Sequence, residues 1–149
     1  DPRIGCAWSL SPGKKRKSKM TVGFIALEIQ ENIAWIKDNF DFPLLENEQF
    51  HHLTVAFKPS DELIQELTPK IGTAYTLKVT GYYSDNDINV LSIEDIPGLP
   101  IQNIHPHVTV SCAPGIKPVH SNDVLREHGT LPTCDNLTLT GKLYFQNWN

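Results

Sequence analysis

Two short segments of this chain carry one pattern 55 residues apart, His52-Leu53-Thr54-Val55 and His107-Val108-Thr109-Val110. With six histidines, eleven threonines and eight valines in 149 residues, His-x-Thr-Val is expected by chance about 0.02 times, so two copies call for a structural cause. The cause is the period of a β-strand, in which residues two apart share a face. In the first segment His52, Thr54, Ala56 and Lys58 then fall on one side, with Leu53, Val55 and Phe57 on an apolar other side. In the second, His105, His107, Thr109 and Ser111 share a side opposite Val108, Val110 and Cys112. Each strand is expected to bury its apolar face and to offer a His/Thr face.

If the two offered faces line one groove, two imidazoles and two hydroxyls converge on a volume suited to one phosphate. Threonine hydroxyls donate to non-bridging oxygens, while one histidine takes a proton from water and the other returns one to a leaving ribose oxygen. Histidine suits both roles because its pKa of about 6.5 lets one ring be neutral and the other protonated near neutral pH. His105-Pro106-His107 also resembles a metal-binding pair, but no spaced third cysteine or carboxylate ligand accompanies it. The expected chemistry therefore uses no metal and no cofactor. His51 is expected to face away from His52 and is left outside the site.

Around the motifs, β-rich runs over 21–29, 50–58, 75–83, 88–93, 105–112 and 137–145 read as strands. A helix carried by Ile33, Ile36, Lys37 and Phe40 ends before Pro43, and a second starts at Pro59-Ser60-Asp61-Glu62 and runs through Leu63, Ile64 and Leu67. Asp123 to His128 forms a short third helix. Ser84-Asp85-Asn86-Asp87 supplies a hairpin turn between two of the strands. Helices interleaved with hairpin-linked strands predict an α+β domain with a mainly antiparallel sheet.

Six of the thirteen basic residues precede Met20, and residues 20–149 hold seven Lys/Arg against sixteen Asp/Glu. Residues 1–19, rich in Gly, Pro, Ser and Lys, read as a flexible or added basic tail, whose run Lys14-Lys15-Arg16-Lys17 also fits a nuclear-import or nucleic-acid-tethering arm. Residues 20–149 form one domain of ordinary size. Its acidic balance argues against broad binding of duplex DNA, so a phosphate must meet a small, locally positive pocket. The odd set Cys6, Cys112 and Cys134 has no metal-ligand spacing, which favours a reducing compartment. With no apolar run of membrane-spanning length, the expectation is a cytoplasmic protein, a monomer by preference, with no membrane partner.

The paired motifs resemble the His-x-Thr signatures of the 2H phosphoesterase superfamily, which includes RNA ligase-like phosphodiesterases, the tRNA ligase phosphodiesterase domain and brain 2′,3′-cyclic nucleotide phosphodiesterase. The stretch Cys112-Ala113-Pro114-Gly115-Ile116-Lys117-Pro118-Val119-His120-Ser121 resembles the segment after the second motif in the brain-type enzymes. The resemblance implies a bilobal α+β fold with the motifs on central antiparallel strands. It further implies hydrolysis of 2′,3′-cyclic phosphates on RNA ends or nucleotides to a monoester, often the 2′-phosphate. Carried over by position, His52 and His107 are the implied catalytic pair, and Thr54 and Thr109 the phosphate-gripping pair. The resemblance gives His107 the activation of water and His52 the protonation of the leaving oxygen, with the reverse left open by the near symmetry of the motifs.

Four further residues are candidates for substrate binding. Lys58 either reaches a second phosphate or the ribose, or is a solvated lysine. Lys117 either flanks the pocket or is an ordinary loop residue. Ser121 is expected to cap the third helix and to present backbone N–H groups to an anion, or to be a plain cap. Tyr82, like Phe24 and Tyr83, either stacks on a base or belongs to the core. Two other functions remain in view: linearisation of cyclic oligonucleotide signals, and a nucleotide-binding module without turnover.

Overall fold

The computed structural model describes residues 21–133 and 136–148. The basic tail, Cys6 and Cys134 lie outside them. The chain order is β1 (Thr21–Ile29), α1 (Ile33–Asn39), β2 (Asn47–Glu48), β3 (His52–Phe57), α2 (Asp61–Leu67) with a 3₁₀ turn (Thr68–Lys70), β4 (Ala74–Ser84), β5 (Ile88–Ile93), β6 (His107–Cys112), α3 (His120–His128), β7 (Leu131–Pro132) and β8 (Thr138–Trp148). Local chemistry sets these boundaries. The Asn32 side chain accepts from Ala34 N at 2.9 Å to start α1, and Ser60 Oγ accepts from Leu63 N at 3.2 Å to start α2. In the β4–β5 turn, Asp85 Oδ1 accepts from the backbone N–H groups of Asp87 and Ile88 at 2.7 and 2.9 Å.

Among the described residues all strand pairings are antiparallel, and the strands run in the order β2-β6-β5-β4-β8-β1-β3, with β7 also on β4. The long β4 belongs to two lobes. Its first half pairs with β8, and its second half pairs with β5. One lobe therefore holds β1, β3 and β8, the other β2, β5, β6 and β7. The expected α+β class and antiparallel sheet are thus what the chain adopts. A shared core of Ile25, Leu27, Leu53, Val55, Leu77, Leu91, Val108, Val110, Leu139 and Leu143, joined by Ile36 of α1 and Leu63 and Leu67 of α2, spans both lobes. A smaller cluster of Ile88, Val90, Cys112, Val124 and Leu125 seats α3 on the second lobe. Cys112 is a buried free thiol whose pKa burial raises. Among the described residues no helix is long and apolar enough to cross a membrane.

Strict alternation fails in both motif strands at the same place. In β3, Ala26 pairs with Thr54 and Ile25 with Ala56, so Val55 is an extra residue, and in β6 the pairs Val90–Thr109 and Asn89–Ser111 leave Val110 extra. A bulge one residue past each threonine reverses the faces beyond it. Ala56 therefore turns into the core at 2% exposure, while Phe57, assigned by alternation to the apolar side, emerges beside His52 and Thr54 at 61% exposure. Ser111 is likewise moved off the His107 face. It is fully buried and accepts from Asn89 Nδ2 at 2.7 Å and from Leu45 N at 3.0 Å. Lys58 leaves the strand with a left-handed φ of 49°, and His105 sits before β6 rather than in it. The two-residue strands β2 and β7 are too short to leave a periodic trace in the sequence.

Candidate active site

His52, Thr54, His107 and Thr109 line a single cavity of about 440 Å³, together with Gln49, Phe57, Asn103, Pro118, Val119 and Asn122. Although β3 and β6 are far apart in strand order, the curvature of the two lobes brings them face to face. Two backbone bonds then tie each motif to the approach of the other. Gln49 N, three residues before His52, donates to the carbonyl of Val110 at 2.7 Å, and Gln102 N, five residues before His107, donates to the carbonyl of Val55 at 2.8 Å. Both acceptors are the bulge residues. The carbonyls of the two bulge residues thus accept from the segments that lead into the opposite motifs.

Each motif side chain has its own support. The His52 ring stacks on Phe24, with centroids 5.4 Å apart and planes at 29°. His107 Nδ1 lies 2.8 Å from the carbonyl oxygen of His105. Because a carbonyl only accepts, Nδ1 carries the proton and the neutral ring keeps its lone pair on Nε2. The Thr109 hydroxyl is 2.7 Å from that of Ser121, which is fully buried. The His105 carbonyl is itself positioned by a relay: Asn103 Oδ1 accepts from His105 N at 2.9 Å, and Asn103 Nδ2 donates to Asn122 Oδ1 on α3 at 2.9 Å. With its oxygen so occupied, Asn122 is left with an NH₂ group at the cavity wall, a donor for an anionic ligand.

Burial pushes the pKa of both histidines below the ordinary imidazole value. For His52 the positive charges of His51 and His107 push in the same direction. For His107 the bond to the His105 carbonyl opposes burial without overcoming it. Burial therefore favours the neutral form of both rings. An anion entering the cavity would favour the protonated form of either ring.

The four secondary candidates fall elsewhere or serve differently. Tyr82 packs in the core against Phe40 and Phe42, with centroids 5.5 and 5.6 Å away, and Tyr83 stacks on His128 while its hydroxyl donates to Asp85 at 2.6 Å, pushing its pKa up to about 12. Lys58 lies with Nζ 5.5 Å from the centroid of the Phe57 ring, and Lys117 is exposed in the loop before α3, where its carbonyl accepts from His120 N. Ser121 is not the cap expected of it: the cap is Val119, and Ser121 N donates to the Pro118 carbonyl at 3.0 Å, so Ser121 acts through its hydroxyl on Thr109. His51 is exposed on the far side, beside Glu28 and Glu48. Asn103 and Asn122 were missed by reasoning from periodicity. A loop Asn two residues before His105 is an Asx-turn signal that marks the first of them, whereas nothing marks Asn122.

No family model and no curated protein matches the chain. Among solved structures, the fungal RNA kinase superposes with a TM-score of 0.51 at 15% identity over 89% of this chain. The chain thus shares the fold of the part of that kinase it aligns with. It spans 45% of the length of that kinase. The E. coli LigT complexed with 3′-AMP aligns with 88% of this chain and 97% of its own length, at 14% identity and a TM-score of 0.41.

Proposed function

We propose that the chain hydrolyses 2′,3′-cyclic phosphates on RNA ends or nucleotides to a monoester, by general acid–base catalysis between His107 and His52 and without a metal. The observation that carries this reading is the convergence of both histidines and both threonines on one cavity. The fungal kinase of the same fold is named for RNA, which agrees with it. Thr54 and Thr109 hold the non-bridging oxygens, Ser121 orienting the second of them, and Asn122 supplies a further donor. His107, with its proton held on Nδ1 by the His105 carbonyl, takes a proton from water at Nε2. The water oxygen forms the new bond to phosphorus, the bond from phosphorus to the ribose 3′ oxygen breaks, and His52, protonated in the complex, delivers its proton to that oxygen. The product is a 2′-phosphate.

³¹P NMR of adenosine 2′,3′-cyclic phosphate incubated with the protein checks both activity and regiochemistry, the expected product being adenosine 2′-phosphate. His52→Ala and His107→Ala each lower turnover by about 10²–10⁴. Unchanged turnover in both variants, or hydrolysis confined to cyclic di- and trinucleotides, would rule the proposal out.

A further inference from the structure

The two motifs are alike in sequence, yet the structure supports their histidines in different ways. His107 is held at its edge, through Nδ1 against the His105 carbonyl at 2.8 Å. His52 makes no ring-nitrogen hydrogen bond among the described residues, and it is held by its face, against Phe24 with centroids 5.4 Å apart and planes at 29°. Resting on the reading just given, we infer that Phe24 is the positioning residue that makes His52 the general acid: its ring face holds the charged, proton-donating form of that imidazole, while His107, its lone pair fixed by the carbonyl, serves as base.

The sequence of β1 builds this contact. Glu28 is the register partner of His52, and Ala26 that of Thr54, so Phe24 starts four residues, about 13 Å, further along the strand. Residues 24, 26 and 28 share one face of β1, and the two rings meet by leaning toward each other over position 26. Only a methyl group stands there. Ala26 is fully buried yet is no part of the core cluster that takes in Ile25 and Leu27, so what covers it lies on the site face. Tyr144, the partner of Ala26 on β8, packs against Phe24 in a T-shape, 6.2 Å away at 76°, and restrains it from the neighbouring strand. The charges acting on His52 oppose its protonation: His51 beside it on the chain and His107 on β6. Among the described residues no carboxylate lines the cavity; Glu28 borders the far-side cavity with His51, and Tyr144 stays a neutral phenol because burial and Glu28 raise its pKa. An aromatic ring turns the negative part of its quadrupole toward a group on its face and attracts a cation within about 6 Å of its centroid. Phe24 thereby offsets the two positive neighbours of His52 before any phosphate arrives.

The first test needs no substrate. Imidazole ¹H–¹⁵N spectra are followed through pH in the unmodified chain, Phe24→Leu and Phe24→Tyr. Leucine keeps an apolar cover without a π face, so His52 is expected to titrate about half a pH unit lower in Phe24→Leu; Phe24→Tyr restores the unmodified value, and His107 in the same spectra reports a folded site. The acid role is then read from leaving groups. Adenosine 2′,3′-cyclic phosphate releases an alkoxide that must be protonated as it leaves, and its turnover falls about threefold in Phe24→Leu above the pH at which His52 titrates. Catechol cyclic phosphate releases a phenolate, which leaves without that proton, and its turnover is retained. An unchanged His52 titration in Phe24→Leu overturns the role of Phe24 and leaves the hydrolase reading standing. An equal loss on the two substrates overturns the assignment of His52 as acid. Absence of turnover of both by the unmodified chain overturns the hydrolase reading, and this assignment with it.

Discussion

Replacing Asn103 by alanine removes both links of the relay that positions the His105 carbonyl under His107, the bond to His105 N and the bond to Asn122 Oδ1, each 2.9 Å long. At about 1 kcal/mol net per neutral hydrogen bond, the fold loses about 2 kcal/mol. Only the His105 link bears on the ring. If its share of about 1 kcal/mol is lost from the orientation of His107, turnover of adenosine 2′,3′-cyclic phosphate falls about fivefold, with KM little changed. Serine at this position still offers an oxygen to the N–H two residues on but cannot reach Asn122. Asn103→Ser is therefore expected to recover most of kcat and about half of the lost stability, which a plain packing defect would not do. Urea unfolding, steady-state kinetics and ¹⁵N spectra of the imidazole tautomer measure the three quantities. Full kcat in Asn103→Ala, with the His107 proton still on Nδ1, would show that the relay does not hold the ring.

Both histidines are held below about 6.5 in the folded state, so unfolding takes up protons; their contribution to stability is complete above about pH 6.5 and is lost as pH falls through their folded values. The urea midpoint should fall between pH 7.5 and 5, and the double variant His52→Gln/His107→Gln should flatten that fall. The same shifts place the kcat/KM optimum, which reports the free protein, at lower pH than the kcat optimum, which reports the complex with its phosphate charge; coincident optima would contradict this. At Gly141 in β8, a Cβ would meet Leu27 Cβ at 2.8 Å and Leu77 Cδ1 at 3.0 Å, so Gly141→Ala should destabilise by about 1–3 kcal/mol, seen as a lower denaturant midpoint at unchanged slope.

The motif residues could be read from the sequence because His and Thr lie only two apart, within the span over which strand alternation held. One residue further on, the bulges at Val55 and Val110 overturned it. Valine fits a regular strand as well as it fits these positions, and no glycine marks the irregularity. That single feature misplaced Ala56, Phe57 and Ser111. The elements β1, α2 and β5 were legible, since caps, turns and apolar runs coincide there. Ser121 and Asn122 were not, because their contributions depend on how α3 docks across β6, a tertiary relation with no local period. Tyr82 shows the same limit in reverse: its pairing with Phe40 and Phe42 joins segments about 40 residues apart.

The crossed backbone bonds from Gln49 to Val110 and from Gln102 to Val55 bear on how the cavity keeps its shape. Breaking them would strip two amides of their acceptors at once, one on each motif strand. The two motif strands are thus anchored to the segments that border the cavity, which sets its lining groups in register with one another.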